Sequence, residues 1–462
     1  MRVQRPALRF LGGTRTVTGS KFLVETAAGD VLVDCGLFQG LKSLRARNWQ
    51  APPLDLDRLR AVVLTHAHLD HCGYLPVLAR AGWRGPVYAS AGTAALAGIV
   101  LADSAHLMVE DAEHANTAGW SRHRPALPLY EPADAARAVE LFRTVSFGAP
   151  KEMLPDVEVT LGHAGHILGA AWVRLRAGGR DIVVSGDLGR RDHPVLCPPD
   201  PRPPADTLLM ESTYGDRRHE GERASQRLAA VVDDTVRRGG SVVIPAFAVD
   251  RTEVILVELA KLVRAGAIPE VPVLVDSPMA LASLRVYRRA VAERWPELRP
   301  ELLDTADDPF DAGHVMRLRT VEESMLANHP RMPSIIVSAS GMATGGRVLH
   351  HLRHLLPDRR NTVLIVGFAA VGTRARQLVD GARELKIHGG YVPVRARVAV
   401  LDGFSAHSDA DELVEWATAA SPPDTAYLVH GELSQSEALA ERLSAIPGWC
   451  AVVPRADERV LC

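Results

Sequence analysis

Thr65-His66-Ala67-His68-Leu69-Asp70-His71 follows directly on the apolar run Ala61-Val62-Val63-Leu64. Three histidines and one carboxylate thus fall within the six positions 66–71. A strand over the apolar run would deliver these side chains into a tight turn, where imidazole nitrogens and a carboxylate can converge on a cation as scattered histidines cannot. The stretch reads as a metal site at the end of a buried strand.

One cluster does not complete a coordination sphere, so the test is whether other apolar runs also end in ligand-type residues. Val31-Leu32-Val33 runs into Asp34, Ile182-Val183-Val184 into Ser185-Gly186-Asp187, Leu208-Leu209-Met210 into Glu211, and Tyr427-Leu428-Val429 into His430. Gly165-His166-Ile167-Leu168-Gly169 and Phe404-Ser405-Ala406-His407-Ser408-Asp409 add two turn-like segments carrying histidine. Taken singly, each is better explained as a capping Asp or a satisfied core His. Taken together, acids and histidines along one edge of a sheet point to a polynuclear site.

The string resembles the metallo-β-lactamase fold in its nucleic-acid-processing branch, the β-CASP ribonucleases. That family includes the endonuclease subunit of eukaryotic pre-mRNA cleavage and its prokaryotic relatives. The resemblance covers nearly the whole chain, through Glu211-Ser212-Thr213-Tyr214-Gly215, Pro245-Ala246-Phe247-Ala248, Asp276-Ser277-Pro278-Met279, Ser338-Ala339-Ser340-Gly341-Met342, Ser405-Ala406-His407 and His430-Gly431-Glu432. It implies an α/β protein, an αββα sandwich with an inserted β-CASP domain whose parallel sheet is flanked by helices.

The 462 residues are enough for two or three domain-sized units, and 47 % hydrophobic residues supply buried cores. A net charge of -2 gives no global positive field, so any RNA contact must come from a local groove. Only five lysines occur (Lys21, Lys42, Lys151, Lys261, Lys386), so arginine supplies most of the 53 basic residues. Arginine suits bidentate phosphate contacts, although genomic base composition accounts for most of the excess. Cys35, Cys72, Cys197, Cys450 and Cys462 are odd in number and form no CxxC pair, which argues for reduced thiols and a cytoplasmic address. Cys35 and Cys72 stand beside site residues, as packing residues or as spare metal ligands. No signal-peptide pattern opens the chain, and no 18-residue apolar stretch is free of charge or proline, so no membrane is expected.

Up to about residue 215, β-branched runs over 21–26, 31–33, 61–64, 157–161 and 182–184 alternate with turns, and helices are predicted over 93–103 and 132–142. From 216 to 395 the pattern becomes strand, small-residue turn, helix. Strands at 241–245, 273–275, 334–337 and 362–366 precede helices at 251–263, 279–293, 346–356 and 373–381, which implies a parallel sheet covered by helices. This part resembles the β-CASP insert. Cys197-Pro198-Pro199-Asp200-Pro201-Arg202-Pro203-Pro204 reads as a stiff connection before it. From 396 to 462 the chain returns to ligand-bearing strands, so the sandwich, begun at 1–215, is completed by sequence far from its start. There is no internal repeat. Archaeal relatives often carry an RNA-binding module ahead of the sandwich, and none is expected here.

By resemblance, one zinc ion takes His66, His68 and His166, a second takes Asp70, His71 and His430, and Asp187 bridges them. Two metals about 3.5 to 4 Å apart share a hydroxide and clamp the attacking and leaving oxygens of a phosphodiester. Nitrogen and carboxylate ligands favour zinc, with manganese and iron as alternatives. His163 competes with His166 for the third histidine position, and the flanking glycines favour His166. Asp34 is either an acceptor for a ligand histidine or the bridging water, or a strand-end turn residue before Gly36. Asp70 and Asp34 are both counted with the catalytic group. Resemblance places Glu211 and His407 at a cleft between the domains, where a carboxylate would raise the pKa of the imidazole and fix its tautomer, and His407 would protonate the departing 3′-oxygen.

The stretch 338–347, through small residues into a helix, offers exposed amides and hydroxyls that bind phosphate without reading bases. Ser338, Ser340, Gly341, Met342, Thr344, Gly345, Gly346 and Arg347 are its candidates, with Phe247 and Thr373 as weaker ones. A tight turn that merely lets helix pack on strand is the equal alternative. Asp250 stands where relatives commonly have glycine, and Ala369-Ala370-Val371 where a glutamine-containing turn is usual, which puts groove contacts there in question.

The leading expectation is a dinuclear zinc ribonuclease acting on single-stranded RNA and leaving 5′-phosphate and 3′-hydroxyl ends, as an endonuclease, a 5′-exonuclease or both. RNA over DNA rests on His430, where the DNA-processing branch typically has valine. A homodimer is considered as a partner state. A small-molecule hydrolase of glyoxalase or lactamase type would share the sandwich ligands but needs neither the insert nor the Glu211/His407 pair. A non-catalytic RNA-binding scaffold would have lost ligands, and all are present.

Overall fold

The computed structural model describes residues 5–51, 54–119, 121, 123–219, 223–305, 307–367, 369 and 372–462. Ala370 and Val371, part of the expected departure from the family pattern, lie outside these. The chain divides into two compact units. The first comprises Met1–Arg191, Pro198–Arg218 and His407–Cys462, the second Asp192–Cys197 and His219–Ala406.

The first unit is built on two seven-stranded sheets. One runs in the order Arg459–Leu461, Ala7–Gly12, Lys21–Thr26, Gly29–Val33, Leu59–Val63, Val87–Ala89, Phe142–Thr144. The other runs Ala451–Val452, Thr425–Val429, Thr207–Glu211, Arg180–Val184, Ala171–Ala177, Val157–His163, Lys151–Leu154. Side chains alternate across a strand, so every second residue faces the partner sheet. Leu8 and Phe10, Phe22 and Val24, Val31 and Val33 on one sheet form a single core with Val157, Val159 and Leu161, Val173 and Leu175, Ile182 and Val184 on the other. Gly29–Val33 and most of Leu59–Val63 are buried on both faces. That is why these strands read as unbroken apolar runs rather than as an alternation. Helices Leu75–Arg80, Ala91–Ala118 and Pro132–Val139 pack together, and Leu433–Ser444 packs on Ala410–Thr418 and on the strand Thr425–Val429.

Two local expectations change. The helix foreseen over 93–103 runs the 28 residues Ala91–Ala118, capped by Ser90, whose hydroxyl accepts from Thr93 N, and closed by Gly119 at φ 68°. It is apolar enough to cross a bilayer by length and hydropathy alone, but 44 % of its most apolar window is buried in the unit. The helix foreseen to 142 stops at Val139, and Phe142–Thr144 instead pairs in parallel with Val87–Ala89. An open sheet edge therefore captures residues that periodicity alone assigns to the helix.

The second unit carries a six-stranded, all-parallel sheet in the order Val315–Arg317, Val273–Asp276, Ile335–Ser338, Val242–Pro245, Thr362–Val366, Arg397–Leu401. Intervening helices such as Arg251–Arg264, Pro278–Ala292 and Val348–Leu355 supply the crossovers that parallel strands require. The expected return to the sandwich at 396 comes later, after Ala406, because Arg397–Leu401 pairs with Thr362–Val366 as the sheet's last strand. Asp192–Cys197 also joins this unit, through Arg299 N to Val195 O at 3.0 Å and Cys197 N to Glu297 O at 2.9 Å.

Candidate metal centre

In the first unit, parallel strands of both sheets end in the ligand-type residues. Gly29–Val33 and Leu59–Val63 run parallel and deliver Asp34 and Thr65-His66; Arg180–Val184, Thr207–Glu211 and Thr425–Val429 run parallel and deliver Asp187, Glu211 and His430. The carboxyl ends of parallel strands are where open α/β sheets gather ligands. Asp34 (φ 60°) and His430 (φ 48°) adopt left-handed backbone at these ends, which turns the chain sharply once the strand stops. Glycines let the ligand loops touch neighbouring backbone. A Cβ on Gly36 would lie 1.6 Å from Asp70 O, and one on Gly189 would lie 1.8 Å from Gly165 O, beside His166.

The side chains fall into two groups around Asp187. On one side His68 Nδ1 lies 3.1 Å from His66 Nε2 and 3.3 Å from His166 Nε2, and Asp187 Oδ2 lies 3.5 Å and 3.6 Å from those two Nε2 atoms. On the other side His71 Nε2 lies 3.2 Å from His430 Nε2 and 3.4 Å from Asp187 Oδ1, and Asp70 Oδ2 lies 3.6 Å from His430 Nε2. His430 also turns Nδ1 to Asp187 Oδ1 at 3.2 Å and to Thr213 Oγ1 at 3.2 Å. A tetrahedral ion with bonds of about 2.0–2.1 Å spaces its ligand atoms about 3.3–3.4 Å apart, and both groups match that spacing. Three imidazole nitrogens this close cannot all donate to one another, so at least one faces a lone pair. Asp187 Oδ1 is buried yet accepts no well-aligned hydrogen bond. The donor set therefore fits metal binding.

Charges are distributed to suit. Burial, together with neighbouring histidines, holds His66 well below the usual imidazole range, so it stays neutral as a ligand must. Burial also opposes charge on His71, but Asp187, Asp34 and Asp70 outweigh it and push its imidazolium up to about 10. Burial works against ionisation of Asp70 and Asp187 as well, and the histidines still hold both below the ordinary carboxylate range. Without a cation the His71 side thus keeps a proton that an ion would displace. Cys35 and Cys72 are outside both groups. Burial pushes the Cys35 thiol up to about 12, and Cys72 Sγ bonds Ala67 O at 3.3 Å, so neither offers a thiolate.

Residues 16–218 match the metallo-β-lactamase superfamily, 252–378 the Beta-Casp domain, and 391–454 the Zn-dependent metallo-hydrolase RNA specificity domain. The chain is 37 % identical to Ribonuclease TTHA0252 of Thermus thermophilus over 434 residues, 94 % of this chain and 95 % of that one. The chain belongs to the β-CASP family of the metallo-β-lactamase superfamily. It is also 32 % identical to transcription termination factor FttA of Methanocaldococcus jannaschii, covering 92 % of this chain and 67 % of that one, and 30 % identical to an RNase J-like protein of the same organism, covering 93 % of each. A crystal structure of a protein of unknown function from Enterococcus faecalis superposes over 99 % of the chain with a TM-score of 0.55 at 14 % identity, a likeness of fold.

Around the metal groups this β-CASP chain places acceptors that orient the rings. His71 Nδ1 lies 2.8 Å from Asp34 Oδ2, so Asp34 is the histidine's acceptor as well as a turn residue. Thr65 Oγ1 lies 2.9 Å from Asp34 Oδ2 and 3.0 Å from His66 Nδ1. Its single hydrogen goes to the carboxylate, so it accepts from His66 Nδ1–H and leaves His66 Nε2 free to ligate. Sequence reasoning assigned no role to Thr65 or Thr213. The signal that could have found Thr65 is its place immediately before the first histidine. His163 stands apart, its ring on Phe147 at 3.8 Å and its backbone N–H on Asp200, while His166 is in the cluster. His407 Nδ1 lies 3.1 Å and 3.3 Å from the two oxygens of fully buried Glu211, and its ring is 4.4 Å from that of His166. Leu188 N–H also donates to Glu211 Oε1 at 2.5 Å, fixing the carboxylate.

The phosphate-binding candidates lie in the second unit, and several are occupied internally. Ser338 Oγ is buried on Asp276 O at 2.9 Å, Arg347 Nη1 is on Asp276 Oδ1 at 2.7 Å, and Thr373 caps its own helix by accepting from Arg376 N at 3.2 Å. The helix starts only at Val348, after a run of turns, so 338–347 is not a direct strand-to-helix passage. Ser340 Oγ accepts from Thr344 N at 3.1 Å, which shapes the loop. Ser340, Gly341, Met342, Gly345 and Phe247 are part-exposed or exposed, as are Thr344 and Gly346. Asp250, where the resemblance led us to expect glycine, is buried with its Oδ2 2.9 Å from His193 Nε2.

Proposed function

We propose that the protein is a dinuclear zinc-dependent ribonuclease that hydrolyses phosphodiester bonds of single-stranded RNA in a reducing, cytoplasmic setting. The observation that carries the reading is Asp187, whose Oδ2 faces His66 and His166 and whose Oδ1 faces His71 and His430, with the Glu211–His407 pair beside it. The ribonuclease names of two relatives and the RNA-specificity domain match support RNA as substrate.

His66, His68 and His166 would hold one ion and Asp70, His71 and His430 the other, with Asp187 shared. When bound, such a pair supplies Lewis-acid charge to the phosphoryl oxygens and acidifies a water. The chain's own residues do the rest. Thr65, Asp34 and Thr213 fix the ring orientations of His66, His71 and His430. Glu211 holds His407 Nδ1 and so sets the orientation of the imidazole that would deliver a proton to the departing 3′-oxygen. The free thiols of Cys35, Cys72, Cys197, Cys450 and Cys462 are consistent with the reducing setting.

The test uses matched RNA and DNA oligonucleotides with the zinc-loaded protein, and metal analysis of the same sample. RNA should be cut to 5′-phosphate and 3′-hydroxyl ends, with about two zinc ions per chain. A clear preference for DNA, or cleavage by metal-free protein, would overturn the reading. A 5′-labelled RNA with a structured block separates internal from end-directed cutting.

A further inference from the structure

We infer that the first unit carries a single-stranded RNA platform of its own, a cationic and aromatic strip formed by Arg15, Lys42, Arg45, Arg47 and Trp49. This rests on the ribonuclease reading above and names a binding surface for the same substrate.

Between Asp34 and Asp55 the chain has no acidic residue, while Lys42, Arg45 and Arg47 supply three cations, in a protein whose net charge is -2. Among the described residues, none of these three, nor Arg15, pairs with a carboxylate, whereas Arg58, Arg137, Arg174, Arg288 and Arg376 all do. The helix Lys42–Arg47 has six residues and buries none of them. So short a helix without a packed face is unstable alone. It is nevertheless held rigidly. Asn48 exchanges two hydrogen bonds with Phe38, at 2.9 Å and 2.8 Å, and Tyr74 Oη donates to Gln50 O at 3.2 Å. Arg47 donates to Leu11 O at 3.2 Å with its guanidinium 4.2 Å from the Phe38 ring centroid. These bonds display Trp49 with 61 % of its surface exposed, a large aromatic face with nothing on it.

The segments that carry the strip are hydrogen-bonded to those that carry the candidate metal ligands. Thr18 Oγ1 donates to Leu37 O at 3.0 Å and accepts from Gln39 N at 2.8 Å, joining the loop that carries Arg15 to the segment that leads into the helix. At the root of that loop Gly13 O accepts from the backbone N–H of His430 at 2.6 Å, and Leu37 N donates to Leu69 O at 2.8 Å beside Asp70. Unpaired cations along a rigid surface with an exposed aromatic ring are what a sequence-tolerant single strand needs, charge for phosphates and a face for a base.

Anisotropy of a fluorescein-labelled single-stranded phosphorothioate RNA, titrated with the zinc-loaded full chain over a salt series, tests this. Trp49→Ala should weaken binding about 5- to 150-fold, and Trp49→Phe should restore most of it. The triple variant Arg15→Ala/Lys42→Ala/Arg45→Ala should lower the slope of log K against log salt by about 2. Melting temperature and metal content serve as fold controls, and since Lys42 and Arg45 are exposed, their charge reversals serve where Trp49→Ala unfolds. Wild-type affinity and slope in the variants would overturn the strip while leaving RNA cleavage by the wild type standing. A wild type that binds no RNA would overturn both readings. Variants that bind RNA normally but lose affinity for anionic vesicles would reassign the surface to a membrane and reject the proposal.

Discussion

Replacing Asp34 with asparagine should selectively weaken metal binding at one of the two proposed cation sites, because the change inverts a hydrogen bond without altering shape. Asp34 Oδ1 accepts from Thr65 N at 2.8 Å, and Oδ2 accepts from His71 Nδ1 at 2.8 Å. Asparagine has the same volume and tolerates the φ of 60° at this position. Its single oxygen can serve only one of those two donors. If it stays with Thr65 N, the new NH2 faces His71 Nδ1, which can accept only if the ring proton moves to Nε2. Nε2 is the atom turned toward His430 and Asp187, and a protonated nitrogen cannot ligate. If the amide flips, two donors face each other across the Thr65 contact instead. Loss of such an orienting partner lowers metal affinity about 10- to 100-fold, or about 1.4–2.7 kcal/mol. Zinc titrated into metal-free protein against a chromophoric chelator should resolve two binding steps, with only one weakened in the variant. Two steps of wild-type affinity, or equal weakening of both, would refute the idea that Asp34 acts through His71.

His407→Ala should abolish RNA cleavage while retaining wild-type zinc content, since His407 lies outside both metal groups; normal cleavage would remove it from the mechanism. Gly36→Ala places a Cβ 1.6 Å from Asp70 O, so the turn bearing Asp70 and His71 must shift, with about 1–3 kcal/mol or more of destabilisation and loss of bound metal; a variant with full metal and unchanged melting temperature would show that the close approach is not required. Burial lowers the Lys21 ammonium to about 8, against about 10.4 in an unfolded chain. Between those pH values the unfolded chain binds more protons than the folded one, so this contribution to stability rises with pH across that window and is flat below it. Denaturant titration of the metal-loaded wild type against Lys21→Met should show the difference moving in favour of wild type from pH 8 to 10.4, and a pH-independent difference would contradict desolvation of the ammonium.

Much of this protein is written in strand periodicity. Apolar runs such as Val31-Leu32-Val33 and Ile182-Val183-Val184 must be buried, and a buried strand that stops at Asp34 or Asp187 exposes that carboxylate at a rim, so the candidate ligands follow from the sequence alone. The parallel sheet of the second unit follows equally from its strand-turn-helix repeats. Sequence does not record which rims coincide. Tertiary packing brings His430 beside His71, 359 positions away, and sets Asp187 with one oxygen toward each histidine group. It also brings His166 rather than His163 into the cluster, because the loop around His166 turns inward against Gly189 while His163 remains on its strand facing Phe147. Open sheet edges took Phe142 from the end of a helix into the strand Phe142–Thr144 and Arg397–Leu401 from the returning sandwich. Thr65 acquired its role only where Asp34 and two imidazole rings meet its hydroxyl. Local sequence fixes which groups end each strand, since burial and period act within a few residues. Convergence of those groups on one cluster depends on long-range strand order, which no local pattern encodes.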